Sequence, residues 1–131
     1  MDKKVFLRLV WIEAVLLAAM FVLGTGLADF AFVPLLNSPL RLDVLVLLTH
    51  IALGTVVTIL AVTLYLASRR QKPLHGTAEM ASLTGLAFIL VSLFSGIALV
   101  SISNNAFFEY AMSLGFIIAF GSYLFLLGTL R

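Results

Sequence analysis

The chain has 131 residues, of which 63% are hydrophobic and 11% charged, with a formal net charge of +2 and no cysteine. A soluble domain carries about 25% charged and about 45–50% apolar residues, and a chain this short must leave much of its surface on solvent, so the solvent expected here is lipid. The missing cysteine excludes disulfides, zinc-thiolate sites, iron–sulfur clusters and covalent c-type haem, and so small a net charge gives no argument for nucleic acid.

In chain order, four apolar stretches are each long enough for the roughly 20 residues a helix needs to cross a bilayer. They predict helices over about 5–28, 40–68, 78–101 and 105–130, in one domain spanning 1–131. The start, Met1-Asp2-Lys3-Lys4 before an apolar run, has the outline of a signal peptide. The run is too long for one, so it is read as a retained span. The first connection holds Asp29, Pro34, Asn37, Ser38 and Pro39, and its apolar part, Phe30 to Leu36, is expected in the interface or folded onto the bundle. Ser38-Pro39 reads as an N-cap followed by proline in the first turn of helix 2. The second connection, Arg69 to Gly76, is short, basic and broken by proline and glycine. The third is only Ser103-Asn104-Asn105, which makes helices 3 and 4 antiparallel neighbours.

The expected fold is an all-α integral membrane four-helix bundle, up-down-up-down. Lys3, Lys4, Arg8, Arg69, Arg70, Lys72 and Arg131 fall on one side of the membrane and Arg41 alone on the other. The positive-inside rule then gives N-in/C-in orientation in a cell membrane. Small residues mark where helices meet, because lipid offers no hydrophobic drive between them. They are Gly54 and Thr58 on helix 2, Gly85, Ser92 and Gly96 on helix 3, and Ala111, Gly115, Ala119 and Ser122 on helix 4.

Few polar residues lie within the spans. His50 lies about six residues outward of the middle of helix 2, or roughly 9 Å at 1.5 Å per residue. An ionisable group at that depth needs a partner, a ligand or a task. Its plain reading is a neutral imidazole bonded to a neighbouring helix; its sharper reading is an axial ligand of haem iron. Gly54, four residues on, leaves room where a porphyrin face would lie. Met112 falls at about the depth of His50 and is the candidate second ligand, although methionine in an apolar helix commonly fills core gaps. Met20 falls near the same level. Arg41 could pair with haem propionates, or with Asp43 or Asp29, or anchor the interface. His75 is a solvated loop residue. Glu13 is expected to be neutralised by Arg8, which snorkels to the interface, in preference to serving a proton relay. Glu79 and Glu109 open helices 3 and 4 as capping carboxylates. Trp11, on the inner half of helix 1, and Phe30, Phe32, Phe107, Phe108 and Tyr110, on the outer side, fit an aromatic belt. Tyr65 and Tyr123 lie toward the inner side.

Leu48-Thr49-His50-Ile51-Ala52-Leu53-Gly54, leading into Leu64-Tyr65-Leu66-Ala67-Ser68-Arg69-Arg70, resembles the histidine helix in one four-helix half of haem A synthase. Ser95-Gly96-Ile97-Ala98-Leu99-Val100 resembles that family's third helix, and Gly24-Thr25-Gly26-Leu27 the end of its first. Helix 4 lacks the family's histidine, with Met112 the nearest substitute, and Leu47 stands where the family has glutamate. The outer-loop cysteine pair of many members is absent. The resemblance therefore implies a bundle of the same shape holding a b-type haem through His50, rather than the synthase activity.

The leading expectation is a membrane b-type haem protein handling electrons or haem near the outer leaflet, with His50 and Met112 on the metal and Gly54 and Arg41 around the cofactor. The alternative is a non-catalytic accessory subunit of a larger membrane complex, such as a respiratory one, or a homo-oligomer, with the small-residue seams facing partners. A transporter or channel subunit is disfavoured, since a permeation path wants more than one deep polar residue.

Overall fold

The computed structural model describes residues 2–32, 42–70, 76–101 and 106–130, with side chains described over 2–24, 48–70, 76–98 and 106–130. All the described secondary structure is helical: α1 (Lys3–Phe32), α2 (Leu42–Arg70), α3 (Thr77–Ser101) and α4 (Ala106–Leu130). Each contains a stretch of at least 22 residues apolar enough to cross a membrane, and the chain reads as a multi-pass membrane protein.

Local chemistry sets several of these ends. Asp2 caps α1: its Oδ1 accepts from the Lys4 amide at 3.3 Å, as expected of aspartate before a first turn. Gly76 precedes α3 with φ +92°, a conformation glycine adopts without strain, and its carbonyl accepts from the Met80 amide at 2.9 Å. α1 runs four residues past the expected end at 28, through Asp29 to Phe32. Its two glycines do not stop it. In an apolar environment a helix is the cheapest way to satisfy backbone groups, and the first proline is Pro34. The proposed Ser38-Pro39 start, Arg41, His75 and the 103–105 turn lie outside the described residues.

The buried positions step along each helix by three and four. On α1 they include Phe6, Val10, Glu13, Leu17 and Met20; on α2, Val57, Ala61, Leu64 and Ser68. On α3 they include Ala78, Ser82, Gly85, Ile89 and Ser92; on α4, Gly115, Ala119, Tyr123, Leu126 and Leu130. A seam of this spacing advances by about 3.5 residues per turn on the first three helices, the repeat that keeps one face against its neighbours in coiled-coil packing. α3 packs against α4 and α2, and α1 against α2 and α4, so each helix has two flanking neighbours. The outward faces carry Trp11, Ile12, Val15, Phe21, Ile59, Phe94, Ile117 and Phe125, all exposed. Such a surface suits lipid and would be an aggregation liability in water.

Hydroxyls within the helices bond back to their own backbone: Thr55 to Ile51, Thr58 to Gly54, Thr63 to Ile59 and Ser122 to Ile118, all with donor–acceptor distances of 2.8–3.0 Å. This hides polar groups without a partner helix. Two seryl hydroxyls instead work between helices. Ser68 on α2 and Ser82 on α3 share a 2.7 Å hydrogen bond in the core, and Ser92 on α3 donates to the Met112 carbonyl on α4 at 2.9 Å.

Candidate functional site

His50 is half-buried on α2. Its ring lies against α1 at Gly24, where an added Cβ would come within 3.4 Å of His50 Cε1. An alanine there would make an ordinary van der Waals contact with the imidazole, whereas a larger side chain would compete with it for space. The ring nitrogen Nδ1 is buried and has no hydrogen-bond partner. One turn further along α2, Gly54 faces Met20 of α1, with an added Cβ 3.3 Å from Met20 Cε and 3.9 Å from its sulfur. The space anticipated beside Gly54 therefore holds the tip of the Met20 thioether. That tip is unbranched and flexible, the kind of group that fills irregular gaps.

Met112 is half-buried on α4 and rests on α3, its sulfur 3.5 Å from where a Gly96 Cβ would stand. The two anticipated iron ligands thus lean on different neighbours, His50 on α1 and Met112 on α3. Met20 joins His50 in the α1–α2 seam. Arg41 falls outside the described residues. Among the described residues no group of three or more histidine, aspartate or glutamate side chains converges as a metal site.

Glu13 departs from expectation. It was expected beside Arg8, but Arg8 is exposed, whereas Glu13 has no accessible surface and neither carboxyl oxygen has a hydrogen-bond partner. Helical geometry explains this. Residues five apart sit about 140° around the helix from each other, whereas side chains meet at separations of three or four. The spacing of Glu13 from Val10 and Leu17 puts it in the buried seam instead, and that periodicity was the sequence signal that could have located it. Tyr123 of α4 reaches the same interior. Its ring lies on Gly85 of α3, where an added Cβ would be 2.8 Å from Cε2 and Cζ. Its hydroxyl is also buried and unpartnered.

The remaining charges behave as end groups. Glu79, in the first turn of α3, meets Arg69 Nε of α2 at 3.4 Å, and the Arg69 guanidinium stands 5.9 Å over the Tyr65 ring. With the Arg69 side chain 59% exposed, this pair contributes at most about 1 kcal/mol. Glu109 is exposed in the first turn of α4, where Phe107 and Phe108 stack edge to face.

No family model matches the chain, and neither a curated protein nor a solved structure matches it.

Proposed function

We propose that the chain is a membrane b-type haem protein, with His50 as an axial ligand of the iron. The reading rests on one observation above the others: a histidine of the α1–α2 seam has its Nδ1 buried without a partner. An unsatisfied polar atom in so apolar a setting costs on the order of 1–3 kcal/mol, and a metal bond to that nitrogen would offset it. A b-type haem would supply reversible one-electron chemistry there. This chain's part would be to hold the imidazole, exclude water and set the polarity around the iron.

In this reading the helices run up-down-up-down, with both termini on the cytoplasmic side of a cell membrane. Contacts between neighbours support the antiparallel order, since Gly24 meets His50 while Met20 meets Gly54. Likewise Gly96 meets Met112 while Gly85 meets Tyr123. Counting 14 residues back along α2 and forward along α3 from the Ser68–Ser82 bond brings Gly54 level with Gly96. Met112, seated on Gly96, is then about one turn from the level of His50, which keeps it as the proposed second ligand. Arg41, outward of His50 on the same helix, is the proposed propionate partner. The resemblance of the His50 segment to a haem A synthase half points the same way.

Haem titrated into the purified chain should give a saturable Soret band at one equivalent. His50→Ala should abolish it, and Met112→Leu should retain it while lowering the midpoint potential, because thioether ligation raises the potential. A folded wild-type preparation that stays colourless with excess haem would overturn the proposal.

A second reading is favoured by the outer face of α4. Added Cβ atoms at Gly121 and Gly128 would meet nothing within 4 Å, so two glycines stand where they serve no internal contact. Small residues on an outward face suit close helix–helix association in lipid, as an accessory subunit of a larger complex would use. Gly121→Leu with Gly128→Leu should then abolish co-purification with larger subunits and leave the isolated chain folded.

A further inference from the structure

Three of the four buried, unpartnered side-chain polar atoms among the described residues are the two carboxyl oxygens of Glu13 and the hydroxyl of Tyr123. Both side chains are fully buried. They come from α1 and α4, which pack together, and the register set by the Met20–Gly54, Ser68–Ser82 and Gly85–Tyr123 contacts brings Glu13 within about one helical turn of the level of Tyr123. Glu13 stands ten residues into α1 from Lys3, about 15 Å along the helix, well inside the apolar stretch. It is eleven residues from Gly24, about 16 Å from the His50 contact, so the two positions are separate.

Around this pair there is no described positive charge. Lys3, Lys4, Arg8, Arg69 and Arg70 are all exposed. From α2, the groups toward this end are Tyr65, which is half-buried under Arg69, and Ser68, whose hydroxyl is taken by Ser82. From α3, Glu79 is held at the helix start by Arg69, and Gly85 lies under the Tyr123 ring. On α4 the Ser122 and Thr129 hydroxyls are taken by the Ile118 and Leu126 carbonyls, which leaves Tyr123 as the titratable group toward this end among the described residues. An ionised carboxylate left here without a cation or a donor would forfeit several kcal/mol of hydration with no compensating interaction. A neutral carboxylic acid avoids most of that cost, and its O–H is a donor of the kind a phenolic oxygen accepts.

We propose that Glu13 and Tyr123 form a buried proton-holding site, in which Glu13 carries a proton at neutral pH with Tyr123 as its hydrogen-bond partner. No covalent step is involved. The site takes up one proton from solvent when its carboxyl enters the bundle interior and returns it only when the helices part. It does not depend on haem being bound.

Infrared spectroscopy of the full chain in lipid at neutral pH tests this directly. A carboxylic-acid carbonyl band should be present, should shift on exchange into deuterium oxide, and should disappear in Glu13→Gln, an isosteric change that retains the burial. Glutamate carrying carbon-13 at the carboxyl provides the same assignment without a mutation, since the other two glutamates, Glu79 and Glu109, lie at helix starts. Tyr123→Phe should move the band to higher frequency as the hydroxyl is lost. Absence of any labelled acid band in the folded wild type at neutral pH would overturn the proposal. A band that Tyr123→Phe leaves unmoved would remove Tyr123 from the site.

Discussion

Gly115 and Gly121 are the same residue in one helix, six positions apart, and should respond oppositely to alanine. A Cβ at Gly115 would press on the Phe88 carbonyl oxygen at 2.8 Å and collide with Ser92 Oγ. The first contact is backbone and cannot swing away. Gly115→Ala should therefore cost about 1–3 kcal/mol through overpacking and loosen the Ser92 bond to the Met112 carbonyl. At Gly121 the space is open, so alanine should be neutral or stabilise by up to about 1 kcal/mol through helix propensity. Reversible unfolding in detergent micelles measures both. Gly24 is intermediate: alanine would make an ordinary contact with His50, but leucine would displace the ring. At this scale the sequence was partly legible. His50 could be singled out because an imidazole is conspicuous among hydrocarbon side chains. Glu13 could not be judged correctly from its nearness to Arg8, because chain distance and helix face are different quantities.

At the scale of the helix, lipid hides the signal that ordinarily separates core from surface. Both faces of every span are apolar, so a hydrophobic pattern locates the spans but not their inward sides. Small and polar residues do better. Gly85, Ser92, Gly96, Gly115 and Ala119 were readable as a seam, and Gly85, Gly96 and Gly115 each face a side chain on the neighbouring helix. Leu17, Leu64 and Leu126, fully buried, could not be told by type from exposed Leu66 and Leu124. The extension of α1 to Phe32 was not legible, because Asp29 stands in the sequence as a polar residue at the end of an apolar run whether the helix stops there or continues. Among polar contacts, the Ser68–Ser82 bond should couple α2 to α3. A double-mutant cycle with alanine at both positions should give a coupling of about 0.6 kcal/mol, a typical value for hydrogen bonds between membrane helices. A coupling near zero would mean that each hydroxyl is satisfied within its own helix, as Ser82 also can be through the Ala78 carbonyl at 2.8 Å.

For the whole molecule, four spans and a one-sided excess of lysine and arginine lead to the proposed N-in/C-in orientation. The chain has no cysteine, so single cysteines can report sidedness cleanly. Cysteine at position 3 or 72 should be shielded from a membrane-impermeant maleimide applied to intact cells, and cysteine at position 37 or 104 should be labelled. The reverse pattern would invert the topology. The molecule as proposed keeps two polar positions apart, an imidazole toward one end of the bundle and a carboxyl–phenol pair toward the other. The haem assignment is the central claim. A reduced-minus-oxidised visible spectrum of membranes containing the wild-type chain, recorded beside His50→Ala at equal protein level, tests it most directly. With haem held by His50, the wild type shows the sharp α-band of a b-type haem and the variant a flat trace. Identical spectra for the two, with or without a band, would contradict it.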